Sequence, residues 1–153
     1  MAHVTWGILL ACGKGEQLVS GADVAFISLS GDPVITYGLR ALEHSPEVDH
    51  VVVVAAKDRL DAVWSLAQLF GCSKVKSVVA GGLQRAKCVE AGLAALDEDV
   101  SMVLILEASR PAVGVELVSE TLKVAKRYGT AVAAGQLGGA VSSVPKGLTA
   151  GKT

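Results

Sequence analysis

The fold is decided by the stretch Trp6-Gly-Ile-Leu-Leu-Ala-Cys-Gly-Lys-Gly-Glu-Gln-Leu18. Its first half is a continuous apolar run, which is typical of a strand buried in a parallel sheet. The run breaks at Gly13 and Gly15, and glycine allows a backbone to turn tightly and to approach a ligand closely. Such a turn presents several backbone N–H groups together and can cradle a phosphate. A plain strand-to-loop turn is the alternative interpretation of the two glycines.

Composition limits the classes of protein to which the chain can belong. Its 153 residues are enough to bury the core of one domain, and because only 4% are aromatic, aliphatic side chains must form that core. The net charge of -1 argues against a nucleic-acid or anionic-membrane partner. No positively charged leader precedes the first strand and no apolar run is long enough for a bilayer, so we expect a cytoplasmic protein. The cysteines lack metal-type spacing and suit a reducing compartment, and Cys12 and Cys88 are expected to be small buried side chains without chemistry.

Apolar periodicity predicts strands alternating with helices after the first strand. Strands are predicted at 51–55, 76–79, 102–106 and 131–134, with a short extended piece near 25–29. Asp32 and Pro33 are predicted to begin the first helix, as its N-cap and first helical residue. Helices are also predicted at 58–70, ended by Gly71, at 86–96, and at 118–128, closed by Gly129. The side chains predicted to face the core from the second and third helices are Leu60, Val63, Trp64 and Ala67, and Ala86, Val89, Leu93 and Leu96.

This alternation predicts an α/β fold with a doubly wound, mostly parallel sheet covered by helices on both faces, in three α/β/α layers. Ligands of such sheets bind beyond the carboxyl ends of the strands. The loops at 12–17, 81–85 and 107–111 follow strand ends and are therefore the candidate site. We expect a domain over residues 1–137 and a loosely ordered tail over 138–153, where periodicity gives way to Gly, Ser and Pro.

The loops also carry a set of motifs in collinear order: Leu10-Ala-Cys-Gly-Lys-Gly15, Gly31-Asp-Pro-Val34, Val79-Ala-Gly-Gly82 with Arg85, and Ala108-Ser-Arg-Pro111. In this order the chain resembles the methylerythritol-phosphate cytidylyltransferases of non-mevalonate isoprenoid synthesis, from about residue 6 to 144. The resemblance implies a Rossmann-like nucleotidyltransferase fold, which agrees with the periodicity. It also implies CTP or another nucleotide as ligand, and a homodimer. The family chains run on into a dimer arm and a C-terminal region beyond the point that this sequence reaches.

The resemblance assigns roles to particular positions of this sequence. The family's catalytic arginine and lysine fall on Gln17 and Val24, which carry no positive charge, so no catalytic cation is intact. The metal-binding aspartate falls on Glu107, which implies Mg²⁺ held by a carboxylate one methylene longer. The nucleotide-binding positions are Ala11, Cys12, Gly13, Gly15, Gly81, Gly82, Arg85 and Cys88.

Two functions follow from these assignments. The first is a cytidylyltransferase that joins CTP and methylerythritol phosphate with release of pyrophosphate. The second is a catalytically inactive homologue that keeps the fold for nucleotide binding, assembly or scaffolding, because removing one preorganised electrostatic group typically costs about a hundred- to a thousandfold in rate. A dinucleotide-binding Rossmann domain is disfavoured, since its third glycine would fall on Leu18.

Overall fold

The computed structural model describes residues 3–12, 23–97 and 99–135. Within these ranges the longer strands, of six or eight residues, are mostly apolar runs that end close to a glycine or to charged residues. The strands are β1 (Val4–Ala11), β2 (Ser28–Leu29), β3 (Asp32–Pro33), β4 (His50–Ala55), β5 (Val75–Ala80) and β6 (Val100–Glu107). The α-helices are α1 (Ile35–His44), α2 (Leu60–Leu69), α3 (Arg85–Ala94) and α4 (Val115–Tyr128).

The main sheet has the strand order β5-β4-β1-β6, and every pair in it is parallel. The chain moves outward from β1 through β4 to β5 and then returns to the other side of β1 with β6. The winding therefore reverses between β1 and β6, where Leu10 is in register with Glu107. Ligands of open α/β sheets bind at the carboxyl ends of strands beside such a reversal. The predicted doubly wound parallel sheet is confirmed.

The strand β1 lies in the middle of the molecule, and its alternate residues enter two separate cores. Leu9 and Ala11 belong to the cluster that packs against α1, α2 and α4. Trp6, Ile8 and Leu10 belong to the cluster on the opposite face, which is covered by α3. Because successive side chains of a strand point to opposite faces, this division produces the predicted three layers.

The helix α3 lies close to the sheet because two small residues face it. Cys88 and Gly92 are its buried residues, and a Cβ at Gly92 would lie 2.7 Å from Ile8 Cγ2. The prediction that Ala86 and Leu93 face the core from this helix is therefore wrong, since Leu93 is 47% exposed and Ala86 is exposed. Small side chains at the contact allow the helix backbone to approach β1 and β4. A prediction based on the spacing of large apolar residues does not detect such a contact.

The prediction that Asp32 and Pro33 begin the first helix is wrong. They form β3, which pairs antiparallel with β2, and α1 begins at Ile35. Ser30 and Gly31 have φ values of +53° and +95°, as a two-residue type I′ hairpin turn requires. The carboxylate of Asp32 contacts Arg40 Nη1 at 2.9 Å instead of capping the helix.

Other predicted elements need smaller corrections. The second helix begins as a 3-10 turn at Lys57–Arg59, and Trp64 on its predicted inner face is 40% exposed. The extended piece near 25–29 is a 3-10 turn at Val24–Phe26 followed by β2. No strand forms at 131–134, which lies within the described residues, and Val132 there is 87% exposed. The expected glycines do end α2 and α4, since Gly71 and Gly129 have φ values of +66° and +87°.

The carboxylate of Glu43 ties the end of α1 to the segment that enters β5. Ser73 Oγ donates a hydrogen bond to Glu43 Oε1 at 2.6 Å, and the Lys74 N–H donates one to Oε2 at 2.9 Å. Burial by itself raises the pKa of Glu43, but these hydrogen bonds outweigh it and hold the pKa below its ordinary value of 4.5. Folding therefore favours the ionised carboxylate.

We expect Glu43→Gln to lower the free energy of unfolding at pH 7 by about 1–2 kcal/mol, because two charge-assisted hydrogen bonds at a partly exposed site are weakened. A carboxyl with a lowered folded-state pKa stabilises above its unfolded pKa, and this stabilisation is lost as the pH falls through the folded pKa. The difference between Glu43→Gln and the parent should therefore shrink in acid. Urea denaturation from pH 3 to 7 measures it, with exposed Glu120→Gln as control, and a gap that stays constant with pH would contradict the assignment.

Several predictions lie outside the described residues. These are the conformation of the glycine turn at Gly13 and Gly15, the position of Gln17, and the loosely ordered tail over 138–153. Among the described residues, no helix is both long and apolar enough to cross a membrane.

Candidate functional site

The loops after β5 and β6 leave the carboxyl edge of the sheet beside the end of β1, and the sheet's own hydrogen bonds hold them there. The ladder continues past β5, where the Gly81 N–H donates to the Ala55 carbonyl at 2.8 Å. It also continues past β6, where the Ala108 N–H donates to the Leu10 carbonyl at 2.8 Å. The ends of β1 and β4, the loop after β5 and the end of β6 are therefore fixed relative to one another.

The loop after β5 passes so close to its neighbours that only glycine fits at residue 81. A Cβ there would lie 2.7 Å from Cys12 Sγ, 2.8 Å from Val54 Cγ1 and 2.9 Å from Cys88 Sγ. Real Cβ atoms essentially never come so close to another heavy atom, and none of the three is the end of a long, flexible side chain. Gly81 is thus needed for the close approach of the loop to β1 and α3.

The ion pair between Arg85 and Glu107 joins α3 to the end of β6. Arg85 Nε donates a hydrogen bond to Glu107 Oε1 at 2.6 Å, and the two side chains are 64% and 29% exposed. An ion pair with this exposure contributes at most about 1 kcal/mol, because water and salt screen it. Both charges are therefore close together and readily available to a charged ligand.

Cys12 and Cys88 form a disulfide at the centre of the site, with their Cα atoms 6.6 Å apart. Cys12 directly follows β1 and is partly exposed, whereas Cys88 lies in the first turn of α3 and is only 1% exposed. The predicted burial is confirmed for Cys88 but not for Cys12, and the prediction that the two cysteines have no chemistry is wrong because they form a bridge. Cys12 and the loop after β5 come together beside Val54 of β4, and this brings two residues 76 positions apart within bonding reach.

Val24 is placed where a cation would be costly. It lies in the 3-10 turn at Val24–Phe26 and is 8% exposed. Asp23 precedes it and accepts a hydrogen bond from the Ala25 N–H at 3.2 Å, while burial raises the pKa of this carboxyl. The position that the resemblance assigns to a catalytic lysine thus carries a side chain packed into the protein, and an unpaired lysine there would lose its hydration.

The structure brings most of the predicted site residues together and leaves others untested. Ala11, Cys12, Gly81, Gly82, Arg85, Cys88 and Glu107 all lie at this edge. Val24 is described but buried, and Gly13, Gly15 and Gln17 lie outside the described residues. Sequence reasoning missed the disulfide and the Arg85–Glu107 pair. The sequence did offer one indication, since in each pair both residues lie at, or shortly after, the carboxyl end of a strand of the same parallel sheet.

One carboxylate at this edge, that of Glu107, could serve as a ligand to a magnesium ion. Among residues 3–12, 23–97 and 99–135, no three His, Cys, Asp or Glu side chains are grouped to hold a metal. Glu107 supplies one hard oxygen ligand at the sheet edge, with Arg85 as its present partner. Because Mg²⁺ is commonly held by one or two carboxylates and completed by substrate phosphates, a single carboxylate suits it.

A doubly wound parallel sheet, with the Gly81–Gly82 loop and the Glu107 carboxylate at the carboxyl edge where its winding reverses, is typical of a nucleotidyltransferase-type α/β domain. The crystal structure of 4-diphosphocytidyl-2C-methyl-D-erythritol synthase from Anaerococcus prevotii matches it with a TM-score of 0.70 at 23% identity, over 82% of this chain and 52% of that one. At this identity the likeness establishes the fold.

The family model described as "IspD: 2-C-methyl-D-erythritol 4-phosphate cytidylyltransferase" matches residues 5–151, and the chain belongs to that family. A protein named 2-C-methyl-D-erythritol 4-phosphate cytidylyltransferase from Dehalococcoides mccartyi is 34% identical over 92% of this chain and 62% of its own length. Another so named, from Clostridium botulinum, is 29% identical over 81% of this chain and 54% of its own length. The chain thus spans little more than half the length of these curated relatives.

Proposed function

We propose that this chain binds CTP with Mg²⁺ at the carboxyl edge of its sheet and serves the cytidylyl transfer to 2-C-methyl-D-erythritol 4-phosphate for which its relatives are named. The observation that carries the proposal is the placement of Glu107 and Arg85 2.6 Å apart beside the reversal of winding. The carboxylate of Glu107 can hold a cation, and the guanidinium of Arg85 can hold an anion. A magnesium nucleotide supplies both.

The chemistry of this transfer defines what each residue has to do. An oxygen of the acceptor phosphate attacks the α-phosphorus of CTP, and the bond from that phosphorus to the bridging oxygen breaks, so that pyrophosphate leaves with the bonding electrons. Such a reaction needs positioning and neutralisation of negative charge. Glu107 would hold Mg²⁺, which supplies Lewis-acid neutralisation when bound. Arg85, once released from Glu107, would donate hydrogen bonds to the nucleotide.

The exchange of partners costs little in this geometry. Arg85 and Glu107 are side chains at the surface, and an exposed pair contributes at most about 1 kcal/mol. Guanidinium–phosphate and carboxylate–magnesium contacts would replace one weak contact with two charge-assisted ones. The ion pair therefore keeps both groups in place without blocking a nucleotide.

We expect Glu107→Gln to weaken the binding of CTP in the presence of Mg²⁺ by about 10- to 150-fold, because one charged interaction of about 1.5–3 kcal/mol is lost. Isothermal titration calorimetry with CTP, with and without Mg²⁺, measures the change. Glu90→Gln is the matched control, since Glu90 lies on α3 and pairs with Lys87 Nζ at 2.7 Å on the helix surface. Equal affinities of Glu107→Gln and the parent would show that no metal-dependent nucleotide site lies at this edge.

A second candidate function is nucleotide binding without transfer, and the burial of Val24 favours it. With an apolar side chain in place of the family lysine, the reacting phosphates would have one less fixed positive charge. This second function predicts that CTP binds while pyrophosphate release from CTP and 2-C-methyl-D-erythritol 4-phosphate stays below detection. Coupled pyrophosphate detection tests this, and turnover by the chain alone would assign the first function in full.

A further inference from the structure

We infer that Cys12 and Cys88 are a reversible redox modification site, whose disulfide ties Cys12, directly after β1, to the first turn of α3 and whose reduction lets the two move apart to admit the nucleotide. The part of this inference that concerns the nucleotide rests on the proposed function. The pair differs from the remaining cysteine of the chain, since Cys72 is a free thiol buried beyond the end of α2.

The bridge limits how far the backbones of Cys12 and Cys88 can move apart. The Cα atoms of Cys12 and Cys88 are 6.6 Å apart, and disulfides rarely connect Cα atoms separated by more than about 6.8 Å. The two backbones are therefore almost as far apart as a bridge allows. A nucleotide that needs more room between these two backbones can therefore bind only after the sulfur–sulfur bond has been broken.

The space next to the bridge is already filled. The backbone of Gly81 lies against both sulfurs, so that a Cβ there would be 2.7 Å from Cys12 Sγ and 2.9 Å from Cys88 Sγ. Cys88 Sγ also lies 3.2 Å from the Gly82 carbonyl oxygen. The bridged cysteines thus occupy the side of the loop that faces β1, and a ligand cannot reach the Gly81 backbone from that side.

The exposure of the two cysteines determines which of them reacts first in thiol–disulfide exchange. Cys12 is partly exposed and Cys88 is buried, so an external thiolate attacks Cys12 Sγ and the Cys88 thiolate leaves. A second external thiolate then attacks the external sulfur of the mixed disulfide and releases Cys12. In the opposite direction Cys12 attacks a small-molecule disulfide, and Cys88 displaces the second external thiolate. Two protein thiols and one external disulfide thereby give one protein disulfide and two external thiols.

The first part of the experiment tests the modification without any nucleotide. The full chain is equilibrated in oxidised or reduced glutathione, quenched in acid, alkylated in denaturant and analysed by mass spectrometry. We expect two fewer alkylated cysteines after oxidation, and a peptide map that joins residue 12 to residue 88. Cys72→Ser should keep this difference of two, whereas Cys12→Ser should abolish it. An unchanged count in the parent, or a bridge through Cys72, would overturn the inference.

The second part measures CTP binding by calorimetry, with Mg²⁺ present, in both redox states. We expect the oxidised parent and oxidised Cys72→Ser to bind CTP at least tenfold more weakly than their reduced forms, while Cys88→Ser is indifferent to oxidation. Equal affinities for CTP in the oxidised and reduced states would contradict redox control of nucleotide binding and leave the proposed function intact. If the bridge forms and breaks but neither state binds CTP, the nucleotide role of the pair and the proposed function both fail, and reversible bridging alone stands.

Discussion

Under oxidising conditions, Cys12→Ser should lower the free energy of unfolding by about 4 kcal/mol. The bridge from Cys12 to Cys88 closes a loop between residues 76 positions apart, and a loop of this length restricts the unfolded chain by about that amount. Cys12 is the better residue to replace because it is partly exposed, so that serine buries little additional polar surface there. Guanidinium denaturation of the parent and the variant, with and without a strong thiol reductant, measures the difference.

The reductant separates the bridge from the side chain. In reductant the parent also lacks the bridge, so the gap between the parent and Cys12→Ser should fall to less than about 1 kcal/mol, as for other substitutions away from the core. Cys72→Ser is the control, since any cost of placing a hydroxyl at that buried position should be the same in both buffers. If the difference in the free energy of unfolding persists in reductant, the destabilisation is caused by serine at position 12 and not by loss of the bridge.

Replacing Leu9 by alanine should lower the free energy of unfolding by about 2–5 kcal/mol. Leu9 is fully buried in the middle of β1, and it packs against α1 where Gly38 lies next to its methyl groups. The lost methyl groups leave a cavity that the strand, paired on both sides by β4 and β6, cannot collapse to fill. Urea denaturation provides the value, and Leu69→Ala, at a residue that is 77% exposed, should change it by less than about 0.5 kcal/mol.

A double substitution tests whether the cavity lies where the packing indicates. A Cβ at Gly38 would lie 2.9 Å from Leu9 Cδ1, so Gly38→Ala alone should destabilise by crowding that side chain. In the Leu9→Ala background the same methyl group enters vacated space. The double variant should therefore be more stable than the sum of the single effects by about 0.5–3 kcal/mol. Strict additivity would show that α1 does not contact β1 through these two residues.

The sequence by itself determined the architecture of this protein. The apolar run that begins at Trp6, the β-branched run at 51–54 and the run at 102–106 predict buried parallel strands, because only such strands are apolar on both faces. Glycine ends two helices where it was expected, at residues 71 and 129, since the left-handed conformation there is a local property. The ordered loop motifs pointed to the family that the comparison then established.

The tertiary structure alone decided which residues meet at the site and which face of a helix is buried. Asp32 and Pro33 have the local chemistry of a helix start, but hairpin pairing across Ser30 and Gly31 competes with it and prevails. On α3 the close approach to the sheet selects Cys88 and Gly92 for burial.

The partners at the carboxyl edge lie far apart along the chain. The disulfide joins residues 76 apart, and the Arg85–Glu107 pair joins residues 22 apart. Local propensity and periodicity act over a few residues, whereas these contacts arise only when separate strands end at one edge of a sheet. The distances between these partners, and the greater exposure of Cys12 than of Cys88, are therefore properties of the folded chain.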